Sequence, residues 1–385
     1  MAACRRDFIT IQDRELLYSG CRDFHVYLCF AMDTSSLTER SGPLARLSAK
    51  REAGVRVGVA GASGFAGQEL LKLLAGHPKV VVTAAMSSSP DGPPRTLPAL
   101  ARIWDGTIEP FSAAKLADAS DAVFLALPEE AAADIAPGLV ARGIHVIDLS
   151  GAFRLRDAAA RERWYPATRL GSLEPVYGLT ERNAAALRGA ALVTNPGCYP
   201  TAAVLALSPL ADAGLLAGEI VIDAKSGISG AGKKPSERTH FSENHGSVAA
   251  YGVFGHRHQP EIEQELGAPV TFVPHLVPLD RGILETIYAR LKPGVTLEQV
   301  GRVMHAAYDT APFVRLTDER LPEIKHAAYT NFCDIGWRVD AAGSRILMVA
   351  VLDNLVKGAA GQAIQNLNAV FGFDERTGLL PLSAR

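Results

Sequence analysis

Val55-Arg-Val-Gly-Val-Ala60 is a short apolar run, and three glycines at three-residue spacing follow it in Gly61-Ala-Ser-Gly64-Phe-Ala-Gly67. A run of that length, apolar almost throughout, is the pattern of a strand buried on both faces. Phe65 to Ala75 then reads as a helix, stopped by Gly76 and Pro78. A buried strand that passes through glycines straight into a helix commits the chain to packed layers, because both faces of the strand need cover. The rhythm returns in Val80–Ala85, Ala122–Leu127 and His145–Leu149, with the alanine-rich stretch Glu129–Arg142 as a helix between the last two. The expected first domain is therefore α/β, a doubly wound parallel sheet.

The second half changes style. Val221–Ala224, Val270–Val273, Ile283–Ala289 and Ile346–Leu352 read as strands with fewer helices between them. This predicts an α+β domain with a mixed, largely antiparallel sheet. A closing helix, Ala359–Val370, is expected to pack back on the first domain. A chain of 385 residues is long enough for two cores. With 48% hydrophobic and 21% charged residues, it has the composition of a soluble globular protein. A net charge of -2 gives no reason to expect nucleic acid or an anionic membrane as partner. Five cysteines without regular spacing argue against a disulfide framework and fit a reducing, cytoplasmic setting. No apolar run is long enough to cross a bilayer.

Residues 1–54 differ in character. They hold Cys4, Cys21 and Cys29 and show no clear period. The apolar patch His25–Met32 is too short for a secretory signal, and Asp7, Asp13, Glu15 and Asp23 speak against a transit peptide. A disordered or weakly packed extension is expected, with Met32 a candidate for the true start.

The glycine loop sits where a Rossmann fold places its phosphate-binding turn, although the spacing is G-x-x-G-x-x-G rather than G-x-G-x-x-G. Gly61, Ser63, Gly64, Phe65, Ala66 and Gly67 are the candidate cofactor residues. An NAD site commonly carries Asp or Glu after the second strand to hold the ribose 2′-hydroxyl. Here Ser87, Ser88 and Ser89 stand in that place and no carboxylate precedes Asp91. Hydroxyls suit a 2′-phosphate, so the expected cofactor is NADP(H), with Arg95 as a helper.

Asn195-Pro-Gly-Cys-Tyr-Pro-Thr201 puts Cys198 where a loop turns into a helix, with Pro200 fit for the first turn. The N–H groups and partial positive charge of a helix N-terminus stabilise a thiolate, so the thiol is expected to be activated. Gly255-His-Arg-His-Gln-Pro-Glu261 places two imidazoles two residues apart. A metal site is not expected, since His275 is the only obvious further ligand. General acid/base work beside Cys198 is the better reading, by His256 or His258, with a narrow preference for His256.

In these motifs the chain resembles N-acetyl-γ-glutamyl-phosphate reductases, of the aspartate-semialdehyde dehydrogenase-like superfamily. The resemblance runs through the glycine loop, Asp148-Leu-Ser-Gly-Ala-Phe-Arg-Leu-Arg156, Pro175-Val-Tyr-Gly-Leu179, the Cys198 segment and Lys225-Ser-Gly-Ile-Ser-Gly-Ala-Gly-Lys233. It continues through the His256–His258 run, Pro274-His-Leu276 and Arg281-Gly-Ile-Leu-Glu-Thr286. It implies an NADPH-dependent reduction of an acyl phosphate to a semialdehyde through a Cys198 thioester, in arginine biosynthesis. It also implies a homodimer or homotetramer with the second domain's sheet at the contact. On the same ground Arg154, Arg156 and Arg281 are candidates for an anionic substrate, as are Ser226 and Gly227 in the second glycine loop. Asn354 is a candidate for the nicotinamide amide, or else a cap for the final helix. The implied domain limits are 55–197 for the dinucleotide, 198–355 for catalysis and dimerisation, and 356–385 for the returning helix. An alternative is a reductase of a carrier-protein-linked aminoadipyl phosphate in lysine biosynthesis. A dinucleotide-binding sensor without catalysis is the alternative from another class, and the retained thiol and histidines argue against it.

Overall fold

Two sheets organise the chain in this computed structural model, which describes residues 54–380. The extension read before Val55 lies outside the described residues, apart from Gly54. Strands β1 (Val55–Ala60), β2 (Val80–Met86), β3 (Ala122–Leu125), β4 (His145–Asp148), β5 (Val176–Tyr177) and β6 (Leu192–Thr194) pair only in parallel, in the order β2-β1-β3-β4-β6-β5. From β1 the chain steps to β2 on one side and then back to β3 on the other, so a topological switch point lies between β1 and β3. In such sheets the crevice at that point, outside the carboxyl ends of the strands, is where ligands bind.

Helix α1 (Phe65–Ala75) covers one face of this sheet, and α2 (Glu129–Ala141) covers the other. Val55, Val57 and Val59 pack with Leu70, Leu71 and Leu74 of α1. Val123, Leu125 and Val146 pack with Ala132, Ala136 and Leu139 of α2.

The second sheet holds seven strands: β7 (Leu216–Gly227), β8 (Ala249–Ala250), β9 (Val270–Val277), β10 (Ile283–Leu291), β11 (Val314–Asp318), β12 (Cys333–Val339) and β13 (Arg345–Leu352). Their order is β11-β12-β13-β10-β7-β9-β8. Only β11–β12 and β7–β9 pair in parallel, so the sheet is mixed and largely antiparallel, as the sequence predicts. Sequence reading misses β5 and β6 of the first sheet and β8, β11 and β12 of the second. Cys333-Asp-Ile-Gly-Trp337 is buried at every position, so it lacks the alternation that marks a strand.

Helix α3 (Cys198–Asp212) lies against this sheet, buried from Tyr199 through Leu210. Pro209 has no N–H to give the Leu205 carbonyl one turn earlier. The Tyr308 hydroxyl fills that place, donating to Leu205 O at 2.6 Å from the end of α5 (Leu297–Tyr308), a helix that follows α4 (His258–Leu266).

The last helix, α6 (Gly361–Phe371), shares the core of the first sheet through Ile364, Leu367 and Phe371. Its other face is polar but equally buried. Asn366 donates to Asn195 Oδ1 at 2.9 Å, and Asn195 donates to Ala359 O at 3.2 Å. The turn leading to Cys198 is thus pinned by residues from the far end of the chain.

Candidate active site

The carboxyl ends of β1, β3, β4 and β6 open on one cleft of about 640 Å³. The turn after β1 is the first wall. Gly61 has φ of +80°, which side-chain-bearing residues avoid, and a Cβ there would collide with the Ala126 carbonyl at the end of β3. A Cβ at Gly67 would collide with Gly61 O. The glycines therefore bring the start of α1 close to the sheet, where its first-turn N–H groups have no carbonyl within the helix to meet. Such a turn is a ready cradle for phosphate.

The turn after β6 is the second wall. Gly197 caps α3 and Cys198 is its first residue. The cleft also receives Arg154, His256 and His258. Arg154 is buried and almost fully engaged: Nε donates to Asn195 O at 2.8 Å, Nη2 to Leu149 O at 3.0 Å and Nη1 to Glu261 Oε2 at 3.3 Å. Glu261 is buried too, and its Oε1 accepts from Tyr177 Oη at 2.9 Å and from the Gly197 N–H at 2.8 Å. Burial pushes this carboxyl up, while Arg154 and the two donors pull it back. Three donors aimed at its two oxygens favour the carboxylate.

The histidines sit around this pair. His258 Nε2 lies 3.4 Å from Arg154 Nη1, which can only donate; accepting there puts the His258 proton on Nδ1, a buried atom without a hydrogen-bond partner among the described residues. His256 Nδ1 accepts from the His258 N–H at 3.1 Å, which leaves its proton on Nε2. A Cβ on Gly197 would lie 2.6 Å from His258 Nε2, so only glycine lets this imidazole approach the turn beside Cys198. Desolvation, with Arg257 nearby, lowers His256 to about 4. Desolvation also takes His258 well below its ordinary range, with His256 and Arg154 adding to the effect. Both imidazoles rest neutral.

The thiol departs from the sequence-based expectation. Burial raises Cys198 to about 11, and the Arg154 charge and the Tyr199 N–H offset only part of this. The helix terminus acts in the expected direction, but desolvation is the larger effect. With its pKa at about 11, Cys198 is a thiol near neutral pH, not a resident thiolate.

Other expected residues fall in different places. Ser63, Gly64, Phe65, Ala66, Ser88, Ser226 and Asn354 line the cleft. Ser87 and Ser89 do not; Ser87 Oγ donates to Ser89 O at 2.7 Å, and Ser89 Oγ accepts from Asp91 N at 3.1 Å. Asn354 ties two loops, accepting from Gly282 N at 2.8 Å and donating to Ser229 Oγ at 2.9 Å. The turn before the last helix is capped one residue earlier, by Asp353 Oδ1 accepting from Leu355 N at 2.8 Å and Val356 N at 3.0 Å. Gly227 packs against the Asp280–Arg281 backbone instead of facing the thiol. Arg156 pairs with Glu265 at 2.7 Å on the surface, and Arg281 is bound to Glu69 at 2.7 Å, outside the cleft.

Sequence reading missed Glu261 as a partner of the thiol's turn. The available signal was its spacing, one helical turn after His258 on α4. It also missed Lys233, whose Nζ reaches Ser63 O in the glycine loop at 3.2 Å. Among the described residues no His, Cys, Asp or Glu group is arranged to hold a metal, and no helix is long and apolar enough to cross a membrane.

Residues 56–190 match the family described as semialdehyde dehydrogenase, NAD binding domain, and residues 198–354 match semialdehyde dehydrogenase, dimerisation domain. The chain is 44% identical over 338 residues to the N-acetyl-gamma-glutamyl-phosphate reductase of Brevibacillus brevis, covering 84% of this chain and 98% of that protein. It is 45% identical over 341 residues to the protein of the same name from Geobacillus stearothermophilus, covering 85% and 99%. Among solved structures it is similar to aspartate semialdehyde dehydrogenase II from Vibrio cholerae, with a TM-score of 0.64 at 19% identity over 82% of this chain and 98% of that one. It is similar in the same way to the Candida albicans aspartate semialdehyde dehydrogenase with NADP, with a TM-score of 0.60 at 18% identity over 82% and 98%.

Proposed function

The chain belongs to the N-acetyl-γ-glutamyl-phosphate reductases, and from that premise we propose how its residues divide the work. The reaction is the NADPH-dependent reduction of N-acetyl-L-glutamyl 5-phosphate to the 5-semialdehyde and phosphate, a step of arginine biosynthesis. The observation that carries the assignment of roles is the meeting of Cys198, His258 and a buried Arg154–Glu261 pair in a cleft that also holds the glycine turn.

Cys198 is the nucleophile. Its sulfur bonds to the acyl carbon, the bond from that carbon to the phosphate oxygen breaks, and phosphate leaves with the electron pair. The thiol proton passes to His258 Nε2. With the thiol near 11 and both imidazoles neutral, this transfer is unfavourable from the protein's own groups alone. An acyl phosphate brings negative charge beside the imidazoles, which raises their proton affinity. Reactivity thus waits for substrate. Arg154 and Glu261 hold the turn and its histidine in register; Arg154 also supplies positive charge toward the sulfur.

When bound, NADPH supplies the hydride that reduces the thioester carbonyl. Gly61, Ser63, Gly64, Phe65, Ala66 and Gly67 would hold its pyrophosphate by backbone N–H groups, and Ser88 its 2′-phosphate. His258 returns its proton to the oxygen of the new thiohemiacetal. Collapse then breaks the C–S bond, and the hydroxyl proton goes back through His258 to sulfur. His256 supports His258, accepting from its backbone N–H.

In the same reading residues 55–197 hold the dinucleotide, 198–355 carry the thiol chemistry and the self-association face, and the segment 356–385 returns to the first domain as far as residue 380; residues 381–385 lie outside the described residues. The protein works in the cytoplasm as a homodimer or homotetramer, without nucleic acid. The test is the reaction run backwards: semialdehyde, phosphate and NADP⁺ together should give NADPH absorbance. No absorbance with phosphate present, or equal absorbance without it, would overturn the acyl-phosphate assignment.

A further inference from the structure

Arg281 stands in a motif read from sequence as a substrate contact, but it lines the adjoining cavity of about 770 Å³ and not the cleft of Cys198, and its guanidinium is held by protein carboxylates. Nη2 donates to Glu69 Oε2 at 2.7 Å, joining the loop before β10 to helix α1 of the nucleotide domain. Nη1 lies 3.6 Å from Asp353 Oδ2, and the guanidinium sits 4.9 Å from the centre of the Tyr329 ring. Glu69 and Asp353 are both buried, and Arg281 is the cation that bridges them. Glu69 has a second, half-exposed partner in Lys72 at 3.6 Å, and Asp353 Oδ2 also accepts from Tyr329 N at 2.7 Å, so only Arg281 joins the two carboxylates.

Each end of this cluster leads to one wall of the cleft. Glu69 is two residues beyond Gly67, on the first turns of the helix that the glycine loop opens. Asp353 Oδ1 caps the turn at Leu355 and Val356, and its carbonyl accepts from Gly358 N at 2.9 Å. Gly358 packs directly on the nucleophile: a Cβ there would lie 2.7 Å from Cys198 Cβ.

We infer that Glu69–Arg281–Asp353 is a latch that sets the cofactor loop in register with the turn behind Cys198, and that Arg281 is a positioning residue, not a substrate ligand. The inference rests on the reading of Cys198 as nucleophile and of the glycine loop as cofactor site. Nη1 is a buried donor with no hydrogen-bond acceptor among the described residues. A shift of a few tenths of an ångström would close its gap to Asp353, so the latch has room to tighten as the two walls approach around their ligands.

The experiment compares Glu69→Gln, Arg281→Met and Arg281→Lys in the full chain. NADPH binding is titrated by fluorescence, Cys198 alkylation by iodoacetamide is timed without ligand, and kcat and KM are measured. Glu69→Gln and Arg281→Met should each weaken NADPH and lower kcat by about tenfold, and leave the acyl-phosphate KM within about twofold. Both should change the Cys198 alkylation rate. The double variant Glu69→Gln/Arg281→Met should be no worse than Arg281→Met alone, because one interaction is lost only once. Arg281→Lys should recover part of the loss; with Glu69→Gln it also carries the test if Arg281→Met does not fold. A raised acyl-phosphate KM with unchanged NADPH affinity would overturn the inference and restore Arg281 as a substrate ligand. Additive effects of the two substitutions would overturn it as well. If the wild type binds no NADPH, the functional reading falls; unchanged alkylation rates in the variants would sink the latch separately.

Discussion

Two turns on the same edge of the same sheet work by different physics. The turn after β1 is made of backbone: its shape follows from Gly61 and Gly67, where any side chain would strike a neighbouring carbonyl. The turn after β6 is made of distant side chains. Gly197 is only the opening, and what fills it comes from Arg154 on one side and from His258 and Glu261 on the other. The first turn offers its N–H groups before any ligand arrives. The second is held inert, with the thiol protonated, the imidazoles neutral and the charges paired. A dinucleotide site can stand ready because it only binds. On the proposed reading Cys198 is a nucleophile, and one that stood ready in the cleft would react with whatever entered.

The sharpest way to separate the two turns is to remove the sulfur. Cys198→Ala should cost at least about a thousandfold in reduction rate, several kcal/mol of barrier. NADPH affinity, measured by fluorescence titration, should stay within about twofold, since the glycine turn does not depend on the thiol. Turnover near that of the wild type would make Cys198 a packing residue. The next effect is smaller and divides the histidines. His258→Asn should slow the rate by about a hundredfold to ten-thousandfold, the range of general acid/base help. His256→Asn should act mainly on substrate KM. The reverse pattern would return the proton to His256, the first candidate on sequence alone.

The difference between the turns also explains what sequence made legible. Val55–Ala60 and the glycines after it are contiguous, so strand, loop and helix could be read within about two turns of chain. Cys198 was legible for the same reason, as a cysteine at a loop-to-helix junction. Its protonation state was not. That depends on burial and on Arg154, and burial is decided by helix α3 lying on a sheet whose strands come from later in the chain. Arg281 shows the same limit. The resemblance made Arg281 a candidate for an anionic substrate, but the anion it meets is Glu69, brought to it only by folding. Ser87 and Ser89 turn into their own loop, leaving Ser88 at the cleft, a choice that three identical residues do not reveal.

A smaller effect tests the cofactor side alone. Ser88→Asp places a carboxylate where a 2′-phosphate is expected, and should weaken NADPH by about tenfold or more while leaving NADH nearly unchanged. Cys198 alkylation without ligand should not move. Equal use of the two cofactors by the wild type would break the assignment of Ser88.

The smallest expected effect concerns pH and links the histidines to folding. His256 is near 4 in the folded protein against about 6.5 when exposed, so between these values the unfolded chain binds more protons. Stability from His256 is therefore fully present above about 6.5 and is lost as pH falls toward 4. His258 is displaced in the same direction. Asp148 opposes them: burial raises it to about 6, so its contribution is present at low pH and is lost as pH rises from about 4 to 6. The net slope of the wild type is thus a difference, and its sign alone decides little. The comparison with His256→Asn removes one contributor and leaves the rest. Urea unfolding at pH 7 and at pH 5 should show the wild type losing more stability, or gaining less, over that step than the variant does. Parallel pH dependences would mean that His256 is as easily protonated in the folded cleft as in the unfolded chain. The neutral resting pair beside Cys198 would then have to be abandoned.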